Sequence, residues 1–579
     1  MTMLTKWGAV LDRSCPLPEY PRPQLRRESF YNLNGVWDHA VTPSGDEPEV
    51  WDGEIVVPFS PEAPLSGAAC GPAKDEYLHY RRGFTLPEGF QKSRVLLHFG
   101  AVDQIAEVFV NGVSAAKHSG GYWPFSADIT SLLREGENIL RVTVRDNADD
   151  PTFAYGKQRY KRGGMWYTAQ SGIWQTVWLE SVPEVYVKSL RITPEFDEAR
   201  VRIELETALE SSAAITCDVR AADGSFVAGS WAKSGVCVVP LPGFRAWTPD
   251  DPYLYTLDIT CGEDRVESYF AMRKFSYVEL GGHKVFGLNN APLFHNGLLD
   301  QGYYPDGLLT PPSDEAMVND IETMKRCGFN MLRKHIKIEP LRWYYHCDRL
   351  GMIVWQDMVS GGQPYSFLHV SALPTLGKVD LPDKDAKPYG RSGVLSRARF
   401  RREMADTVRL LYNCPCIALW TVFNEGWGQF DALDMANELK KLDPTRFIDH
   451  ASGWQDQGYE EMKSRHIYFR PVKLKNDGRA LALTEYGGYI LAVDGHRWTD
   501  KVFGYRICRN SAALAHDYEK LMLGQVLPHI RKEGLTAAVY TQITDVEEEL
   551  NGLMTYDREV LKIPEETLRE INAALRFDA

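Results

Sequence analysis

The chain changes rhythm near residue 275. Before it, short runs alternate between apolar and polar positions at period two and are broken by Gly, Pro, Asn and Asp, with no stretch at helical spacing. From Pro16 to about Val182 the clearest of these runs are Val95–Phe99, Ala106–Val110 and Ile139–Val144. Asn111-Gly112 follows the second, and both residues tolerate the positive φ of a tight hairpin turn. Such a series predicts a β-sandwich or barrel over residues 1–182. Residues 183–275 carry Leu190–Thr193, Ala199–Leu205, Ala214–Val219 and Leu254–Thr260, which predict a smaller immunoglobulin-like β-sandwich. After Phe275 strand and helix patterns alternate. Strand candidates are Phe294–Leu298, Met331–Lys334, Ile353–Trp355, Ile417–Phe423, Ile448–Ala451, Ile467–Phe469, Leu481–Thr484 and Ala537–Gln542, with helical spacing in Asp314–Cys327 and Arg397–Tyr412. Eight such units over residues 276–579 predict a (β/α)8 TIM barrel.

The run Ile417–Phe423 carries no charge, as a parallel strand buried on both faces requires, and it ends in Asn424 and Glu425. Gly426 and Gly428 bracket Trp427 where the chain must turn. Ligands meet a parallel barrel at the C-terminal ends of its strands, so this carboxylate stands where chemistry is done; capping the next helix is the plainer alternative. A second apolar strand, Leu481–Thr484, delivers Glu485 with Tyr486 and two glycines after it. Two carboxyls facing each other across a pocket are what glycoside hydrolysis requires.

Asn424-Glu425 and Thr484-Glu485-Tyr486-Gly487 resemble catalytic strands four and seven of family-two glycoside hydrolases, a group that includes β-galactosidases, β-glucuronidases and β-mannosidases. Leu33–Trp37, Tyr80–Phe84 and Gly172–Trp178 resemble the jelly-roll sugar-binding domain that opens those enzymes. The resemblance covers all three domains and implies a retaining exo-β-glycosidase. Glu425 would be its general acid and base, Glu485 its nucleophile, and Asn424 the partner of the sugar's 2-hydroxyl. Arg333 is expected to hold Glu485 ionised, and Tyr468 to hydrogen-bond it. His335 is read either as a sugar contact or as a core histidine, Asp300 as a sugar contact or a loop brace, and Trp454 as a stacking platform or packing. The 360–393 segment is long for a connection and is expected to shape the aglycone side.

Composition narrows the partners. A net charge of -13 argues against nucleic acid, whose phosphates would be repelled. No run reaches the apolar length of a membrane span. The first twenty residues hold Asp12, Arg13 and two prolines in place of a signal core, so a cytoplasmic protein is expected, with homo-oligomerisation open. The ten cysteines are scattered, with only Cys414 and Cys416 close, which predicts reduced thiols and no zinc site. No cofactor or metal is expected. The Asn-x-Lys triplet by which β-glucuronidases hold a uronate is absent after Glu485, so a neutral glycone is favoured, β-galactose first. β-Glucuronidase, β-mannosidase and α-L-arabinopyranosidase are the alternatives within the family; a non-catalytic carbohydrate-binding protein and a metal-assisted hydrolase are those outside it.

Overall fold

The computed structural model describes residues 3–68, 70–209, 214–233, 235–375 and 380–578. The first unit packs a six-stranded antiparallel sheet against a four-stranded one. Trp37, Tyr80, Val108 and Val142 from the first sheet meet Val95, Phe99, Val177 and Leu179 from the second in one core. This is the jelly-roll sandwich. The second unit packs three strands on four, and in Tyr255–Cys261 buried and half-buried residues alternate without a break, the period-two pattern of a strand with one face in a core. The two sandwiches are tied by a buried charge cluster. Arg27 donates to Glu180 of the jelly roll at 3.0 Å and to Asp264 of the smaller sandwich at 2.9 Å.

Residues from 276 do not enter the barrel at once. Phe275–Leu280, His283–Leu288 and Ala291–Pro292 first form a three-stranded antiparallel sheet. Its Phe286 stacks on Phe447 and lies edge-on to Trp355, so an aromatic plug closes the floor of the barrel, opposite the strand ends that carry the site. The eight parallel strands are His295–Asp300, Met331–Lys334, Ile353–Asp357, Ile417–Thr421, Phe447–Asp449, Met462–Ile467, Ala480–Gly487 and Leu535–Thr541. Strands one to five pair in sequence order, and one closes through eight and seven to six. Between five and six the described residues form no ladder; Ser464 Oγ spans the seam, 3.0 Å from Asp449 Oδ1 and accepting from Gly453 N at 3.3 Å.

Strand six differs from the sequence expectation: it ends near Ile467 where a strand was expected to begin. Its inward residues are Ser464 and His466 and its outward ones Lys463 and Arg465, so no apolar run marks it. Among the described residues no helix follows strands five or six. The helix after strand one, Asp314–Arg326, shows why the others form. Ser313 accepts from Ala316 N, Asp314 and Glu315 sit at the positive end of the dipole, Lys325 and Arg326 sit at the negative end, and Met317, Ile321 and Met324 make one buried stripe. Among the described residues no cysteine is in a disulfide, and eight of the ten are buried. No helix among the described residues is long and apolar enough to cross a membrane.

Candidate active site

Arg333 is the centre of the arrangement. It is fully buried at the end of strand two, where an unpaired cation would be costly, and it is paired on every side. Its Nε and Nη2 donate to the two oxygens of Asp357 on strand three, each at 3.0 Å. Nη1 reaches Glu485 Oε1 at 3.0 Å and Nη2 reaches Asn424 Oδ1 at 2.9 Å. One guanidinium therefore fixes strands two, three, four and seven relative to each other. Asp357 also takes His335 Nδ1 at 2.8 Å. Burial holds His335 neutral, its pKa lowered to about 3, so Nδ1 carries the proton and Nε2 is left as an acceptor at the cavity wall.

Glu485 sits where the ladders between strand seven and both its neighbours slip register. Such bulges re-aim a side chain, and here the carboxylate turns inward. Its second oxygen accepts from Tyr468 OH at 2.6 Å. Burial raises its pKa, and His466, Arg333 and the tyrosine hydrogen bond oppose that rise. Glu425 has a different environment. It lies just past strand four at φ +52°, a conformation rarely taken by a residue with a side chain, in a turn closed by Trp427 N on Asn424 O. It contacts no cation side chain directly. Its hydrogen bond is with His466 Nδ1 at 2.8 Å, and burial lifts its pKa to about 7. Burial is the largest cause of that rise, the charges of Lys157 and Arg333 oppose it, and the carboxylate of Glu549 adds to it.

One oxygen of Glu425, one of Glu485 and a nitrogen of His466 lie within 4.8 Å of one another. The two carboxyls therefore face each other at short range in unequal surroundings, Glu485 ion-paired with Arg333 and Glu425 hydrogen-bonded to His466. The same three atoms could hold a metal ion, but a cation there would occupy both carboxyls and compete with Arg333 for Glu485.

The cavity is lined by Leu299, Gln301, His335, Asn424, Glu425, Trp427, Tyr468, Glu485, Tyr505, Thr541 and Glu549 from the barrel, and by Lys157 and Met165 from the jelly-roll domain. Lys157, Gln301, Tyr505 and Glu549 were not expected as site residues. Tyr505 stacks on Tyr468 with ring centroids 3.9 Å apart. Glu549, in the acidic run after strand eight, accepts from Tyr167 OH of the jelly roll, and its neighbour Glu547 accepts from Thr168 N at 2.8 Å. That acidic run was the available signal for Glu549. Nothing in the strand pattern pointed to residues 153–168, which reach across from another domain. Two buried polar atoms of the wall have no hydrogen-bond partner among the described residues: Asn424 Nδ2 and Gln301 Oε1.

Asp300 and Trp454 are not brought into the lining. Asp300 is held by Lys334 Nζ at 2.7 Å and accepts from Gly302 N, which makes it a brace for the first strand-end loop. Trp454 is half-exposed, its ring edge-on to His466 at 5.9 Å. It packs behind the histidine. Tyr365, from the long 360–393 segment, lies parallel to Trp427 with centroids 6.1 Å apart, beside the turn that carries Glu425. A larger cavity of about 300 Å³ at the joint of the three domains includes Glu339, which is already bound by Lys334 and Lys337.

Comparison with known proteins agrees with this architecture. Residues 63–183 match the model of the glycosyl hydrolases family 2 sugar binding domain, 185–273 that of glycosyl hydrolases family 2, and 311–474 that of the family 2 TIM barrel domain. Glu425 falls inside the last match and Glu485 beyond it. A beta-galactosidase of Halalkalibacterium halodurans is 23% identical over 502 residues, 78% of this chain and 45% of that protein. A beta-glucuronidase of Paenibacillus borealis is 22% identical over 535 residues, 82% of this chain and 85% of that one. The chain thus spans less than half the length of the first relative. A solved beta-glucuronidase of an uncultured Clostridium sp. shares the fold with a TM-score of 0.75, at 19% identity, over 95% of this chain and 99% of that one. With three family models matched in order along its sandwiches and barrel, the chain belongs to glycosyl hydrolase family 2.

Proposed function

We propose that the protein is a retaining exo-β-glycosidase acting by double displacement. The observation that carries the reading is the pair Glu425 and Glu485, with oxygens within 4.8 Å and different partners, Arg333 for Glu485 and His466 for Glu425. Retaining enzymes hold their carboxyls about 5–5.5 Å apart, and inverting ones need roughly 6.5–9.5 Å to admit a water. Glu485, ion-paired with Arg333, attacks the anomeric carbon while Glu425, neutral at pH below about 7, protonates the leaving oxygen. The glycosyl-enzyme ester is then cleaved by water, which Glu425, now ionised, deprotonates. Asn424 Nδ2, without a hydrogen-bond partner among the described residues, donates to the sugar 2-hydroxyl, a bond that strengthens as the oxocarbenium develops. Cleavage of one terminal sugar at a time fits a wall that surrounds both carboxyls and is completed by a second domain. No step requires a cofactor.

The neutral glycone expected from sequence rested on the absence of the Asn-x-Lys triplet, with β-galactose placed first by its frequency in the family; Lys157 in the cavity wall is a different cation that a uronate could meet. Arg470 and Lys473, the cations that follow strand six, are exposed and do not line the cavity. A neutral β-galactoside remains the second reading, supported by relatives named beta-galactosidase.

The test is azide rescue. With an activated aryl glycoside, Glu425→Gln should accumulate glycosyl-enzyme and yield a β-glycosyl azide when azide is added. Glu485→Gln should be inactive toward every leaving group and give no β-azide. A β-azide from the Glu485 variant, or normal rates in both, would refute the roles.

A further inference from the structure

Resting on the Glu425 and Glu485 reading, we propose that Lys157, delivered to the barrel mouth by the jelly-roll domain, selects the glycone, and that the group it binds is a carboxylate: the preferred substrate is a β-linked uronic acid. Lys157 is 5% exposed and stands in the same wall as both glutamates. Among the described residues its ammonium has no hydrogen bond and no ion pair, although Glu425 and Glu549 share that wall. Most other buried cations are matched: Arg333 by Asp357 and Glu485, Lys334 by Asp300 and Glu339, Lys562 by Asp545. A buried ammonium without an anion is unfavourable unless a ligand supplies one.

The surroundings hold the charge in place without neutralising it. Lys157 Nζ lies 5.6 Å from the Tyr167 ring and 5.4 Å from the Trp427 ring, a cation–π cradle in the cavity wall. Its backbone is clamped: Tyr167 N donates to Lys157 O at 3.0 Å, and Tyr155 N and Gly156 N donate to Ser360 O of the barrel at 3.1 and 3.0 Å. Glu549 is engaged by Tyr167 OH and Glu425 by His466. Burial raises the pKa of both carboxyls and the Lys157 charge is the largest effect opposing it, yet neither carboxyl is bonded to the ammonium. A sugar carboxylate would meet a preset cation, while Gln301 Oε1 and Asn424 Nδ2 take hydroxyls.

The experiment compares p-nitrophenyl β-D-glucuronide and β-D-galacturonide with the matching glucoside and galactoside, for the wild type, Lys157→Met and Lys157→Arg. The wild type should favour at least one uronide over its neutral counterpart by tenfold or more in kcat/KM. Lys157→Met should lower that ratio by about a hundredfold, the scale of losing one partner of a buried ion pair, and Lys157→Arg should restore part of it. A ratio that does not move with Lys157→Met, or a wild type that prefers the neutral sugar, overturns the proposal. Calorimetric binding of free glucuronate, galacturonate and galactose to Glu485→Gln, with and without Lys157→Met, separates the two claims. Uronate binding that depends on Lys157 in a chain that hydrolyses nothing would sink the catalytic reading and keep this one. Hydrolysis with no uronate preference in binding or rate would do the reverse.

Discussion

Replacing Glu425 by Gln removes one proton donor and one buried charge, and the two losses act in opposite directions on activity and stability. In the fold Glu425 is 8% exposed and its pKa is pushed from 4.5 to about 7 by burial. That difference corresponds to about 3 kcal/mol between the two protonation states. The sign follows from proton binding: the native state holds this proton more tightly than the unfolded chain does. Below about pH 4.5 both states are protonated and the site costs nothing; from there to about pH 7 stability falls as pH rises, and above it the full penalty is present. Gln keeps an acceptor for His466 and never ionises. The variant should therefore be more stable than the wild type by up to about 3 kcal/mol at pH 8.5, with the gain shrinking toward pH 5. Calorimetric melting of both proteins at the two pH values measures it, read on the barrel transition. Equal melting temperatures at pH 8.5, or a less stable variant, would show that Glu425 is not a buried acid.

Activity supplies the matching half. For a glycoside with a poor leaving group the wild-type kcat/KM should fall about tenfold per pH unit above pH 7, following the neutral fraction of Glu425. For an activated aryl glycoside, whose phenolate needs little protonation, that limb should flatten. A limb independent of the leaving group would assign the proton to another residue.

Tyr468→Phe removes the donor to Glu485 Oε2 and with it a bond that favours the ionised carboxylate, so the acid limb of kcat/KM should move to higher pH; an unmoved limb would make the contact packing alone. Asp300→Asn should lower stability by about 1–3 kcal/mol, because Lys334 keeps only Glu339, while KM for glycosides stays the same. A tenfold rise in KM without loss of stability would return Asp300 to the sugar.

What the sequence disclosed and what it concealed divide along chain connectivity. Strand two was legible to the residue, Met331–Lys334, because parallel strands buried on both faces are short unbroken runs between turn signals. Glu425 and Glu485 were legible because a charge at the end of such a run has few structural reasons to be there. Strand six was misplaced because its inward positions are polar, Ser464 and His466, and a barrel lined with polar groups breaks the apolar rule where the site is built. Asp300 and Lys334 stand at the ends of adjacent strands, yet their pairing is a fact of three dimensions that spacing does not carry. Lys157 is the extreme case. It lies in a different domain from the pair it faces, in a segment without strand periodicity, and its backbone is anchored by amides that donate across the interface to Ser360. A residue-by-residue reading of the barrel therefore finds the two carboxyls proposed to break the glycosidic bond. The lysine proposed to choose the sugar comes from the domain whose pattern predicts only packing, so on this proposal specificity changes by substitutions in the jelly roll that leave the barrel strands intact.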